Sequence, residues 1–168
     1  MRILGIDPGS VNTGYGIIDD RAGCPAHITD GTISTKSSAP LPERLTIIFY
    51  QMQQIIKEYH PDVAAIEGIF LAKNVKTVAI LGHARGVLLL SAADARLSVF
   101  EYSPMEIKQS VVGYGLATKE QVQKMVRELL KVEYLPKPDA ADALATAICH
   151  MHHYKTNAYL EKNLRSEV

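Results

Sequence analysis

The chain of 168 residues has no tryptophan, only two cysteines (Cys24 and Cys149) and no surplus of either charge. Two cysteines cannot make the framework of a small disulfide-stabilised secreted domain, so we expect a reducing, cytoplasmic setting. Eighteen basic residues balance eighteen acidic ones, which argues against a generic polyanion-binding protein. The composition therefore favours an ordinary intracellular globular protein.

Long hydrophobic runs are also missing. No apolar stretch reaches the roughly 20 residues that cross a bilayer, so we expect no membrane association. The first apolar run is cut short by Asp7, which argues against a signal peptide. A chain of this length can bury about 70% of its unfolded surface. We predict one domain over residues 1–155 and a polar tail over residues 156–168.

The charges are unevenly distributed along the chain. Residues 1–70 carry 5 basic and 8 acidic side chains, whereas residues 71–131 carry 9 and 5. Residues 132–168 carry 4 and 5. Such a division suits an enzyme that uses acids for metal and bases for phosphates, although a chance fluctuation would look the same.

The hydrophobic pattern predicts the element order βββαβαβααα. Short connections between the first three strands favour an antiparallel meander, and the whole order favours a mixed sheet with helices on its faces. We predict strands at 3–6, 13–18, 28–34, 63–66 and 97–102. Helices are predicted at 42–59, 75–93, from Pro104, at 118–131 and at 139–153, where Thr118 and Gln121 form a capping box.

Four acidic residues stand where a metal-dependent nuclease would need them. Asp7 and Glu67 each close a buried strand, and Asp139 and Asp142 are three apart near the start of the last helix. That spacing places both on one helical face. Carboxylates brought together repel one another unless cations neutralise them, and two Mg²⁺ ions would also form a centre for phosphoryl transfer.

Each acid also has a purely structural alternative, and for Glu67 it is that strand ends are often polar. Asp7 opens an Asp-Pro-Gly-Ser turn, and Asp139 and Asp142 are favoured as helix cap and first-turn acid.

Gly82 and Gly86, four apart in a helix, indicate close approach of another backbone, either within the protomer or at a dimer interface.

The ordered motifs resemble the RuvC family of bacterial Holliday-junction resolvases, within the RNase H-like and retroviral-integrase superfamily. The resemblance runs over about residues 1–155. The matching motifs are GIDPGS at 5–10, TGYG at 13–16, IE at 66–67 with Phe70, AKN at 72–74, Gly82, ARG at 84–86, EY at 101–102, Lys108, Val112, Gly113, Gly115, Lys119 and DAADALA at 139–145.

The resemblance implies an α/β, RNase H-like fold with a five-stranded mixed sheet flanked by helices. It implies a structure-selective endonuclease that cuts four-way DNA junctions by paired nicks, leaving 5′-phosphate and 3′-hydroxyl ends. It assigns Asp7, Glu67, Asp139 and Asp142 to catalysis and to two Mg²⁺ ions, with Mn²⁺ as a substitute. Some relatives carry His at the position of Asp139. The implied partners are junction DNA, a second copy of the chain, and the RuvA and RuvB branch-migration complex.

The resemblance also implies roles for four other residues. Lys119 would steady the phosphate near the metals and act in catalysis, and Lys73 and Lys108 would contact the DNA backbone. Phe70 would stack on an unpaired base at the junction. Without the resemblance, the lysines read as solvated side chains and Phe70 as a core aromatic.

Four further interpretations compete with this one. His150, His152 and His153 could form a metal cluster, but without a partner motif we expect surface or helix-end residues. An actin-like or sugar-kinase ATPase opens with a similar turn but needs two large lobes. A pre-rRNA-processing nuclease would share the acids and act on RNA, and a silent junction-binding module would not need them.

Overall fold

The computed structural model describes residues 1–68 and 75–166, with side chains as far as residue 156. Within these residues the chain has five strands and five helices in the predicted order. The strands are β1 (Arg2–Asp7), β2 (Asn12–Arg21), β3 (Cys24–Ser34), β4 (Val63–Glu67) and β5 (Ser98–Tyr102). The helices are α1 (Leu41–Tyr59), α2 (Val75–Asp94), α3 (Pro104–Val112), α4 (Lys119–Leu130) and α5 (Pro138–Ser166).

The strands form a mixed sheet in the order β3-β2-β1-β4-β5, which confirms the predicted fold class. The first three strands form the predicted antiparallel meander. β4 and β5 add to it in parallel with β1, after crossover connections through α1 and α2. Because β1 and β4 are parallel neighbours, the carboxyl ends of both strands lie at the same edge of the sheet.

Each face of the sheet has its own hydrophobic core, because the side chains of a strand alternate between the two faces. Leu4 and Ile6 pack with α1 and α2, whereas Ile3 packs with α3, α4 and α5. Both cores contain fully buried large side chains such as Met52 and Leu144. Each such side chain stabilises the fold by about 1.5–3 kcal/mol relative to an exposed one.

Two glycines allow α5 to lie directly on the sheet. A Cβ atom at Gly5 would overlap the Ala143 carbonyl and the Ala147 backbone, and one at Gly14 would overlap the Asp139 carbonyl. Ala143 and Ala147 are fully buried on the helix side of this contact. The absence of bulk on both surfaces therefore brings the start of α5 close to the end of β1.

Capping boxes fix the starts of α3 and α4. The hydroxyl of Thr118 accepts from the Gln121 backbone N–H, and the Gln121 side chain accepts from the Thr118 N–H, as predicted. Ser103 and Glu106 form the same reciprocal pair at α3. The cap at Thr118 makes Lys119 the first residue of α4.

The prediction that the last helix ends near His153 is wrong, because α5 continues to Ser166. The sequence beyond His153 contains neither glycine nor proline and is rich in Asn, Lys, Glu and Leu. Nothing in that composition stops a helix that has already formed.

The prediction that no apolar stretch is long enough to cross a membrane is also wrong. α2 has 20 residues and passes that test by length and composition alone, with 22% of its most apolar window buried. Core helices of globular proteins pass the same test. Here α2 packs on α1 and contributes Ala84, Leu88 and Ala92 to the core beneath the sheet.

Candidate active site

Asp7 and Glu67 meet at one edge of the sheet. Asp7 ends β1 and Glu67 ends β4, and the preceding residues, Ile6 and Ile66, are partners in the parallel register. Both acidic side chains are half-buried, and their carboxyl groups are hydrogen-bonded to each other. Two carboxyl groups can share a hydrogen bond only when one of them is protonated.

Asp142 and Lys119 complete the group from above the sheet. Asp142 lies one turn into α5, and Lys119 Nζ donates a hydrogen bond of 2.9 Å to its Oδ2. The carboxyl group of Asp142 is mostly covered, whereas 73% of the Lys119 side chain is exposed. The lysine therefore reaches from solvent into the acidic cluster.

The pKa values record how strongly these groups interact. Burial, and then the neighbouring charges of Glu67 and Asp142, raise the pKa of Asp7 to about 8. Burial and the charge of Asp142 also raise the pKa of Glu67 above its ordinary range. The hydrogen bond and the charge of Asp142 raise the pKa of Lys119, so this ammonium stays charged at neutral pH.

Asp139 lies beside this group, at the start of α5. The charged groups that act on Asp7 are Glu67, Asp142 and Lys119. The main chain of Asp139 lies over Gly14, and Gly14 is the residue paired with Asp7 across β1 and β2. Three of the four predicted acids therefore act on one another electrostatically, and the fourth, Asp139, lies in α5 with its main chain over the neighbouring strands β1 and β2.

A cavity of about 140 Å³ opens next to the acids. Its lining includes Glu67 and Asp142 together with two lysines, Lys108 from α3 and Lys119 from α4. The charge of Lys108 lowers the pKa of Glu67, against the raising effect of burial. Acidic and basic side chains thus face the same small space, as the uneven charge distribution of the sequence suggested.

The donor chemistry of this group suits a divalent cation. Three carboxylates are hard oxygen ligands, and the raised pKa values of Asp7 and Glu67 show that the negative charge at the site is not fully neutralised by Lys119. Among the residues that the structure describes, no three His, Cys, Asp or Glu side chains are already arranged to hold a metal ion. Asp7 and Glu67 are bonded to each other instead, and Asp142 to Lys119.

Two predicted DNA-binding residues, Phe70 and Lys73, lie outside the described residues. Their roles stay predictions. Before them in the chain, the Gly68 N–H donates to the Tyr102 carbonyl at the end of β5. After them, α2 begins at Val75.

The three histidines near the end of the chain are not a metal cluster in the part of the chain that is described. The expectation that they are surface residues is wrong for His150, which is 1% exposed. Its Nδ1 is 2.8 Å from the Tyr102 hydroxyl, and its ring stacks on Phe100. His152 pairs with the Ser110 hydroxyl. The helical spacing of His150, from Leu144 and Ala147, was the signal of its burial.

Sequence analysis also missed Arg44. It lies four residues before Ile48 and eight before Met52, which places it on the buried stripe of α1. A cation on an apolar stripe is an unusual feature that the spacing alone could have identified.

Comparison with known proteins agrees with this geometry. The family model described as Crossover junction endodeoxyribonuclease RuvC matches residues 3–150. A curated Crossover junction endodeoxyribonuclease RuvC from Syntrophomonas wolfei is 49% identical over 164 residues, which are 97% of this chain and 95% of the relative.

Two solved structures extend the comparison. The structure of Thermus thermophilus RuvC in complex with a Holliday junction substrate matches with a TM-score of 0.87 and 31% identity, covering 94% of this chain and 96% of that one. The yeast mitochondrial Holliday junction resolvase Ydc2 shares the fold, with a TM-score of 0.72 at 15% identity and coverage of 99% and 84%.

These findings confirm the resemblance to a family of metal-dependent nucleases and the RNase H-like fold that it implied. The chain belongs to the crossover junction endodeoxyribonuclease RuvC family.

Proposed function

We propose that the protein resolves four-way (Holliday) DNA junctions in homologous recombination and repair, using Mg²⁺ to hydrolyse one phosphodiester bond at each of two symmetric positions. The observation that carries this proposal is the cluster of Asp7, Glu67 and Asp142 with Lys119 at the edge of the sheet. Its position in a chain of this family supports a nuclease centre. Each cut leaves a 5′-phosphate and a 3′-hydroxyl, ends that a ligase can join.

The carboxylates of Asp7, Glu67, Asp142 and Asp139 are the ligands that we assign to Mg²⁺. Two bound ions would supply an activated water and neutralise charge on the phosphate and the leaving oxygen. The chain itself contributes the placement of the ligands: β1 and β4 fix two of them, and the first turns of α5 carry the others. Binding requires that Asp7 release its proton, since a carboxylate and not a carboxylic acid binds the ion.

Lys119 is the residue that we assign to the reacting phosphate. An ammonium group has three N–H donors, and Asp142 accepts one of them, so two remain for phosphate oxygens. Its raised pKa keeps it positive throughout the neutral range. Lys108 lines the same cavity, and we assign it to an adjacent phosphate.

The other DNA contacts rest on the family resemblance. Lys73 would bind the DNA backbone, and Phe70 would stack on an unpaired base at the crossover. Phe70→Ala should then lower junction cleavage with little change in melting temperature. An equal fall in both would make Phe70 a core residue.

The working form would be a homodimer, with α2 in the interface. Among the residues that the structure describes, nothing lies within 4 Å of a Cβ added at Gly82 or Gly86, so no described contact within the protomer accounts for either glycine. They belong to an open apolar depression of about 510 Å³ that also includes Leu45, Val87 and Leu90. A second copy bound on this face would present two equal sites to a nearly two-fold symmetric junction.

We also propose that the protein acts in the cytoplasm and binds the RuvA and RuvB branch-migration complex, as the resemblance implies. Co-purification of the three proteins on junction DNA, and its loss without the DNA or without RuvA, would test this part separately.

The nuclease assignment is tested with a synthetic four-way junction, the wild-type protein and Asp7→Asn. The wild type should cut the junction with Mg²⁺ and not with EDTA. Asp7→Asn should bind the junction as tightly as the wild type and cut at least about 100-fold more slowly, because one metal ligand is lost. Loss of both binding and cleavage would make Asp7 a structural residue.

A further inference from the structure

A second cavity lies on the other side of the loop that follows Asp7. It has a volume of about 380 Å³. Residues 9–12 of the loop between β1 and β2 form one wall. Arg44 of α1 and Thr77, Ile80 and Leu81 of α2 form the others. None of these residues lines the cavity of the catalytic acids.

The loop wall is held rigidly in place. Thr13 Oγ1 donates to the Gly9 carbonyl at 2.6 Å, and Thr35 donates to Val11 through its N–H at 2.8 Å. Thr35 Oγ1 also donates to the Ser10 carbonyl at 2.9 Å. The loop therefore keeps its shape without help from the arginine that lies against it.

Arg44 carries a buried charge without an acidic partner. The residue is 9% exposed, and its Nη1 donates to Ser10 Oγ at 3.1 Å and weakly to the Ser10 carbonyl at 3.3 Å. Among the described residues, no Asp or Glu forms an ion pair with it, and its Nε has no hydrogen-bond partner. A buried, unpaired cation is costly, so such groups in proteins are normally paired with an anion.

We infer that this cavity binds a backbone phosphate of the DNA strand that passes the catalytic acids, with Arg44 as its main ligand. The inference rests on the proposed function, because the strand reaching Asp7 must run beside Ser10, three residues further along the chain. A guanidinium with free N–H groups suits phosphate oxygens, and the side chains of Ser10 and Asn12 add neutral donors at the wall. A phosphate held there fixes the register of the strand at the cleavage site without reading its sequence.

A purely structural role for Arg44 accounts for less. Its bonds to Ser10 would tie α1 to the loop, but Thr13 and Thr35 already hold that loop. A neutral side chain could also make such a hydrogen bond between α1 and the loop, and it would leave no buried N–H group without a partner. A bound phosphate accounts for both the open cavity and the unpaired charge of the guanidinium that lines it.

The salt dependence of junction binding measures the contact directly, because each phosphate neutralised by a cation releases counterions. Binding is measured from 50 to 300 mM NaCl in the non-cleaving Asp7→Asn background. Arg44→Gln should reduce the slope of log K against log[NaCl] by about 0.9 for each protomer bound and weaken binding at low salt. Arg21→Gln, at the far end of β2, is the control and should leave the slope unchanged. An unchanged slope in Arg44→Gln would overturn the inference.

A second variant tests the inference with Arg44 in place, so that the test does not depend on the folding of Arg44→Gln. Asn12→Asp is nearly isosteric at an exposed position and places a carboxylate in the cavity, where it would pair with Arg44 in place of phosphate. It should keep or raise the melting temperature and reduce the slope as Arg44→Gln does. In a double-mutant cycle it should add little to Arg44→Gln. Equal effects of Asn12→Asp with and without Arg44 would contradict the inference.

Failure of this inference is distinguishable from failure of the proposed function. If the protein is not a junction resolvase, the parent Asp7→Asn protein shows no preference for the junction over a linear duplex. If only the phosphate site is wrong, that preference is intact and the slopes of the variants match the parent.

Discussion

The carboxyl groups of Asp7 and Glu67 are hydrogen-bonded to each other across two parallel strands, at the point where both strands end. Burial and the neighbouring negative charges raise the pKa of Asp7 to about 8 and also raise that of Glu67, so the pair holds a proton at neutral pH. When no metal cation is bound, one proton is thus held by the two carboxyl groups and takes the place of the cation's positive charge. Metal binding, protonation and stability are therefore linked at this site.

The first prediction concerns stability without metal. Because the pKa of Asp7 is about 8 in the folded state and 3.8 ordinarily, the folded protein holds a proton between these values that the unfolded chain has released. Stability then falls as pH rises from about 4 to about 8. Asp7→Asn cannot ionise, and its amide can still donate to Glu67. In EDTA at pH 8 it should melt higher than the wild type by about 2–4 °C per kcal/mol recovered.

The same scan provides its own control. Near pH 4 the two proteins should melt at similar temperatures, and Mg²⁺ at pH 8 should stabilise the wild type more than Asp7→Asn. If the two melting curves run parallel across the whole pH range, the raised pKa of Asp7 is wrong.

The second prediction concerns Lys119. Lys119→Gln removes the positive charge that faces both Asp142 and the cavity, so the cleavage rate constant should fall by about 10–100-fold, the loss typical of one electrostatic contact to the transition state. Lys119→Arg should retain part of the activity. Lys124→Gln, an exposed lysine on the same helix, is the matched control and should cleave at the wild-type rate. A similar loss in both glutamine variants would assign Lys119 to general DNA attraction only.

The third prediction concerns the contact between α5 and the sheet. In Gly14→Ala the new Cβ would overlap the Asp139 carbonyl, so the start of α5 must move away from β2. We expect a loss of about 1–3 kcal/mol in the free energy of unfolding. Because Asp139 and Asp142 would move with the helix, the cleavage rate should fall by about 100-fold. Denaturant unfolding and single-turnover cleavage measure the two effects, and normal cleavage in a folded variant would contradict the placement of α5.

Much of this fold could be predicted from the sequence because local signals agreed with the tertiary structure. The apolar runs before Asp7 and Glu67 form β1 and β4, and the Thr118–Gln121 capping box starts α4 where it was expected. These features depend on a few neighbouring residues. Their physical causes, side-chain alternation and satisfaction of the first backbone N–H groups, act over the same short range.

The pairings within the site could not be predicted in the same way. Spacing placed Asp139 and Asp142 on one helical face, but only the close contact of α5 at Gly5 and Gly14 decides that Asp142 reaches Asp7 and Lys119. The burial of His150 against Tyr102 likewise depends on packing between distant elements. The length of α5 was missed because the polar composition of its last residues predicts a tail, although they contain no glycine or proline that would end the helix.

The fourth prediction concerns the dimer. Leu90 is 59% exposed in the apolar depression of α2, so a charge there should not disturb the protomer. Leu90→Glu should convert a dimer to a monomer in sedimentation velocity, with an unchanged melting temperature at high dilution. Leu135→Glu, also exposed but outside this depression, should remain dimeric. A monomeric wild type at micromolar concentration would contradict the proposed interface.

Mapping both cuts on single molecules of a four-way junction tests directly whether the protein is a junction resolvase. Two strands of opposite polarity are end-labelled with different dyes, and the products are compared with those from a linear duplex and a structured RNA in Mg²⁺. We expect paired nicks at symmetric positions in the junction, with ends that a ligase joins, and no cutting of the other substrates. Unpaired cuts in the linear duplex, or a preference for the RNA, would contradict it.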